Sequence, residues 1–150
     1  MMTRHSVLRA ALAGAIASLA LTGCGQMRTA QKVDIYEARL AGTQEVPPVN
    51  SGGSGTAEIQ VNTDTKAMTW KVTYTGLSGT ATGAHIHGPA SPGQNAGVVV
   101  PFTNVTAQPI TGQATITPAQ YADLAAGRWY VNVHTAANPG GEIRGQLRKR

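Results

Sequence analysis

Residues 68–75 read MTWKVTYT. Met68, Trp70, Val72 and Tyr74 alternate with Thr69, Lys71, Thr73 and Thr75. Successive side chains on a strand point to opposite faces, so a period of two sets one face in a core and the other in water. On that pattern Met68 is a core residue. The alternation continues upstream, with Ala57, Ile59 and Val61 set against Glu58 and Gln60, and Tyr36, Ala38 and Leu40 set against Glu37 and Arg39. Further strands are predicted over 81–87, 97–103, 111–117, 129–135 and 142–148. Pro47-Pro48, Ser51-Gly52-Gly53, Asn62-Thr63-Asp64, Ser91-Pro92-Gly93 and Asn138-Pro139-Gly140-Gly141 supply the turns between them. About eight short strands at such spacing predict an all-β fold, an antiparallel β-sandwich or Greek-key barrel.

One short helix interrupts the strands. Thr117 can cap it, Pro118 suits its first position and Gln120 completes a capping box. Tyr121, Leu124 and Ala125 give it an apolar side, and Gly127 can end it. A helix this short needs tertiary support, so it is expected to pack across one end of the β structure.

The N-terminus carries a different signal. Arg4, His5 and Arg9 precede an apolar run from Ala10 to Leu21 that is too short to span a bilayer. The run ends in Leu21-Thr22-Gly23-Cys24. A small residue before the cleavage point and a cysteine after it match a bacterial lipoprotein processing box, with Cys24 as the lipidation site. Several acyl chains on one residue anchor firmly where a single chain does not. Gly25 follows the cysteine, a pattern that in a Gram-negative cell resembles outer-membrane sorting. The expected division is a signal peptide over 1–23, a lipid-anchored tether over 24–33 and one folded domain over 34–148. The expected location is the cell envelope, on the exported side of a membrane.

Cys24 is the sole cysteine, so no disulfide can support the domain, although an exported compartment would permit one. Removing residues 1–23 leaves 127, enough for one core. Arg4 and Arg9 leave with the signal, so ten basic residues face seven acidic ones, a net charge of +3. No basic stripe with interleaved aromatics is present, which argues against nucleic acid. Arg148-Lys149-Arg150 reads as a solvated tail, free to touch anionic lipid or polysaccharide.

The sequence contains no Gly-rich phosphate loop and no serine nucleophile elbow, and it presents no complete catalytic set. Its histidines in predicted strands are His85, His87 and His134. Residues i and i+2 of a strand face the same way, about 6–7 Å apart. Ile86 faces the core, so His85 and His87 project outward. Trp129, Val131 and Val133 face inward, so Tyr130, Asn132 and His134 face outward. If the two strands are neighbours, the three histidines form one site. Neutral imidazole suits copper and zinc. The alternative is that the histidines are surface residues bonding to nearby loops. Around them, Glu45 sits at the rigid bend Gln44-Glu45-Val46-Pro47-Pro48, and Glu142 and Arg144 share a strand face. A Glu45–Arg144 ion pair is expected to fix a loop. Alternatively, Arg144 borders the metal and attracts an anion. Tyr130 and Asn132 can support a ligand.

The segments LAGTQEVPPV (40–49), YTGLSG (74–79), GAHIHGPA (83–90), NAGVVVPF (95–102), GQATITPAQYADLAAG (112–127) and YVNVHTAANPGGEIRGQL (130–147) occur in this order. Together they resemble the CHRD domain, the module named after chordin. The resemblance implies a β-rich extracellular domain that acts as a binding or regulatory element. At the site, an H-x-H strand, a late strand histidine and an arginine beyond a Gly-rich loop look like the copper half of copper-zinc superoxide dismutase. That likeness implies His85, His87 and His134 as copper ligands and Arg144 as an anion guide. The bridging histidine, the zinc ligands and the cysteine pair of that enzyme have no counterparts, so a single-copper site is the most it implies.

Three functions follow as expectations. The first is metal binding by an envelope lipoprotein, with copper, or alternatively zinc, held for storage, delivery or protection. The second is a metal-free module binding an envelope protein or a glycan. The third is a single-copper redox enzyme. The lack of a catalytic set leans the reading away from an enzyme.

Overall fold

The computed structural model describes residues 32–150. The expected signal peptide, Cys24 and all but the last two residues of the expected tether lie outside the described residues. Nine strands form one antiparallel sheet: β1 (Val33–Ala41), β2 (Ser54–Asn62), β3 (Ala67–Thr75), β4 (Ala81–His87), β5 (Val98–Pro101), β6 (Ile110–Thr115), β7 (Tyr130–Thr135), β8 (Ile143–Gln146) and β9 (Arg148–Lys149). Their order is β5-β4-β7-β8-β1-β2-β3-β6, with β9 added to β1. The sheet curls on itself into a nearly closed barrel whose ends, β5 and β6, do not pair with each other. Across that gap the Trp70 and Phe102 rings stack with centroids 4.8 Å apart. This is the predicted all-β architecture, with the last predicted strand divided between β8 and a two-residue β9.

The alternation sets the core as predicted. Tyr36, Ile59, Val61, Met68, Val72, Ile86, Trp129, Val131, Val133 and Ile143 are all fully buried. Each such aliphatic side chain contributes about 1.5–3 kcal/mol by leaving water, which lets the domain stand without a disulfide. The helix α1 (Pro118–Ala125) has the predicted capping box between Thr117 and Gln120. Leu124 enters the core, whereas Ala125 is exposed. Gly127 follows in the left-handed region at φ 69°. Tyr121 donates to Asp34 at 2.5 Å, which ties the helix to β1.

One expectation holds in part and one fails. The basic tail is exposed, as a solvated end should be, but it is tied to β1. Arg148 and Lys149 pair with Glu37 and Tyr36, Lys149 bridges Asp34 at 2.7 Å and Arg150 bridges Glu37 at 2.8 Å. Glu142 does not share the Arg144 face. Gly141, at φ 130°, turns the chain just before β8, and the Glu142 carboxylate points inward. There it accepts from Ser51 Oγ, Ser78 N, Ser78 Oγ and Thr135 Oγ1 at 2.6–2.7 Å, joining two loops to the end of β7.

Candidate metal centre

The centre lies on the outer face of β4, β7 and β8. Strand β7 is flanked by β4 and β8, and register fixes the rows: His85 lies opposite Asn132, which lies opposite Arg144, and His87 lies opposite Tyr130, which lies opposite Gln146. Ile86 is buried between the two histidines of β4, as the alternation requires. Gly83 lies opposite His134. A Cβ on Gly83 would meet the His85 and His134 rings at ordinary van der Waals distance, so the position lies directly against both rings.

The three imidazoles converge. One nitrogen from each lies within 4.8 Å of the others. His85 Nδ1 is 2.9 Å from His134 Nε2, and the His85 and His87 rings meet edge to face. A tetrahedral ion with nitrogens at about 2.0–2.1 Å needs them about 3.3–3.5 Å apart, so the cluster is close to a ligand set.

The outer ring nitrogens fix the tautomers. His87 Nδ1 lies 3.0 Å from the Ala96 carbonyl, and His134 Nδ1 lies 3.0 Å from the Pro139 carbonyl. A carbonyl only accepts, so both Nδ1 atoms carry a proton, and it is Nε2 that offers the lone pair whenever the ring is neutral. His87 Nε2 is buried and has no hydrogen-bond partner in the protein. Metal-binding histidines are commonly held in this way. Burial, reinforced by His134 and His87, lowers the His85 pKa to about 4. Burial also lowers that of His134, against the opposing pull of Pro139. At neutral pH these two rings are therefore neutral donors.

The surrounding residues depart from expectation in an informative way. Tyr130 and Asn132 lie on the outer face as predicted but are buried: the Ala96 amide reaches the Tyr130 hydroxyl, and Glu45 and Gly141 lie against Asn132. The Tyr130 ring lies parallel to His87, at 3° and 4.9 Å between centroids. Arg144 Cζ sits 3.4 Å from the Tyr130 centroid. Arg144 is buried and donates to Asn95 Oδ1 at 2.9 Å and to the Gln94 carbonyl at 2.6 Å. The expected Glu45–Arg144 ion pair is absent: among the described residues no carboxylate lies within 4.0 Å of Arg144. Glu45 is buried near Asn132 and Gly141. Burial raises its pKa to about 7, against the pull of Arg144 and Asn132. Loop and sheet together compensate the guanidinium in place of a counter-ion.

Sequence reasoning missed Ala96, Pro139, Gln94 and Asn95. Three of them act through backbone carbonyls, which any residue type supplies. Only the turn residues around Gly93 and Pro139 marked these stretches as loops.

A family model described as the CHRD domain matches residues 36–147, three quarters of the chain and all of the strands that build the centre. The chain belongs to the CHRD domain family. All three converging histidines, with Arg144, fall inside the matched CHRD domain. Searches of the curated proteins and of the solved structures find no match.

Proposed function

We propose that this CHRD domain is a metal-binding module of the cell envelope, that copper is its metal, and that a lipid on Cys24 holds it at a membrane. One observation carries the metal reading. His85, His87 and His134 converge, while backbone carbonyls hold the outer nitrogens of two of them. In this reading His85 Nδ1, His87 Nε2 and His134 Nε2 are the donors. On metal binding His85 moves its proton to Nε2, which releases the hydrogen bond to His134. Three neutral nitrogens with no thiolate suit Cu(II), with Zn(II) as the competitor. Three protein ligands leave room for a water or a small ligand. Storage, delivery or protection requires nothing more.

Equilibrium dialysis of residues 24–150 against Cu(II) and Zn(II) tests this. Wild type should bind one Cu(II) per chain, and His85→Ala/His87→Ala should not. Equal, weak binding by both would end the proposal.

A second reading, binding of an envelope protein or glycan without metal, is favoured by a different surface. The outer faces of β1, β2 and β3 form a groove of about 800 Å³ lined by Glu37, Arg39, Thr56, Glu58, Lys71 and Thr73. Capture of an envelope component that survives chelator and His134→Ala would support it.

A further inference from the structure

Three side chains from different strands converge on the β4–β5 loop. His87 donates Nδ1–H to the Ala96 carbonyl, and Ala96 N–H donates to the Tyr130 hydroxyl at 3.2 Å. Arg144 donates to Asn95 Oδ1 and to the Gln94 carbonyl. Asn95 Nδ2 in turn donates to the Val46 carbonyl at 2.9 Å. Consecutive residues 94, 95 and 96 are thus fastened by Arg144, by the 45–48 bend and by the Tyr130–His87 pair. Below them the stack of His87, Tyr130 and Arg144 spans β4, β7 and β8.

A buried guanidinium is costly to keep without a carboxylate partner, and it is tolerated only where its donors are satisfied. Arg144 finds acceptors in the loop, so the loop and the guanidinium hold each other. The consequence falls on His87. Its ring is oriented by stacking on Tyr130 and by the Ala96 carbonyl. Both depend on where residues 94–96 lie.

We propose that Arg144 and Asn95 are positioning residues for the metal ligand His87, acting through the Ala96 carbonyl and the Tyr130 ring, so that residues 94–97 form part of the metal centre. This rests on the reading of the histidines as a metal site. Losing a partner that orients a ligating histidine weakens metal binding by 10–100-fold in general. Here the affected contact is one step removed, so the lower end applies.

Asn95 is exposed, so replacing it spares the core. Asn95→Ala removes the acceptor for Arg144 and the tie to Val46. Asn95→Asp keeps an acceptor for Arg144, now charged, and loses the tie to Val46. The assay is Cu(II) titration of residues 24–150, read by affinity, by the Cu(II) electron paramagnetic resonance spectrum and by hydrogen exchange at Ala96 and Gly97. Asn95→Ala is expected to weaken Cu(II) by roughly tenfold, shift the spectrum and speed exchange at Ala96, and to lower the metal-free unfolding midpoint, because the buried guanidinium loses an acceptor. Asn95→Asp is expected to recover affinity and spectrum. Wild type should also slow exchange at Ala96 when Cu(II) is added. Binding and spectrum of Asn95→Ala equal to wild type would overturn the inference while leaving the metal site standing. A wild type that takes up no Cu(II) would overturn both.

Discussion

Glu142 and Glu45 are two buried carboxyls driven in opposite directions. Burial raises the pKa of Glu142, but the hydroxyls of Ser51, Ser78 and Thr135 and the Ser78 amide outweigh it and bring it to about 2. Its folded value is below the unfolded one. The stability it gives is therefore complete above about pH 4.5 and is lost as pH falls toward 2. Glu142→Gln should cost about 2–3 kcal/mol in urea unfolding at pH 7, because it removes the charge that four donors address, and the variant should lose less on acidification. Glu45 is the reverse case. Its folded value, about 7, lies above the unfolded one, so its contribution is present below pH 4.5 and is lost as pH rises through 7. Glu45→Gln should flatten that alkaline slope, and unfolding midpoints at pH 5 and pH 8.5 would detect it. A variant with the wild-type slope would place the cost elsewhere.

At the level of strands, glycine marks the closest approach. A Cβ on Gly145 would overlap the carbonyl oxygen of Arg39, so β8 can lie against β1 only with glycine there. Gly145→Ala should destabilise the domain by roughly 1–3 kcal/mol in urea unfolding, since backbone cannot yield as a side chain can. The strands themselves were legible because period two is written in residue type, as Met68, Trp70 and Val72 illustrate. The helix was legible because Thr117, Pro118 and Gln120 spell its start. Alternation also gave the shared orientation of His85, His87 and His134. What it did not give was what covers that orientation. Tyr130 and Asn132 face outward from the sheet and are still buried, because segments with no periodic signal lie against them: Ala96 against Tyr130, and Glu45 and Gly141 against Asn132. The Arg144 partners escaped for a related reason. Charge complementarity pointed to Glu45, whereas a backbone carbonyl and an exposed asparagine satisfy the guanidinium. Glu142 was assigned to the wrong face because β8 begins only at Ile143, so strand alternation does not govern Glu142.

For the whole molecule, the metal reading makes a thermodynamic statement. An ion that binds only the folded chain stabilises it, by about 2.7 kcal/mol at a free concentration one hundred times its Kd. Cu(II) should accordingly raise the melting temperature by an amount on the order of 10 °C, and chelator should reverse it. His85→Ala/His87→Ala should melt at one temperature with and without the ion. The centre draws its ligands from β4 and β7, which are separated in sequence by β5, β6 and α1. No contiguous fragment shorter than residues 85–134 holds all three donors.

The sheet order has one more consequence. Strand β1, the first described, sits in the middle of the sheet with β2 on one side and the last strands, β8 and β9, on the other. A chain emerging from any pore with its N-terminus first would therefore hold β1 half-paired until β8 had followed it. Up to that moment β5-β4-β7 and β1-β2-β3-β6 have no strand to join them, since β8 is the link between the two groups.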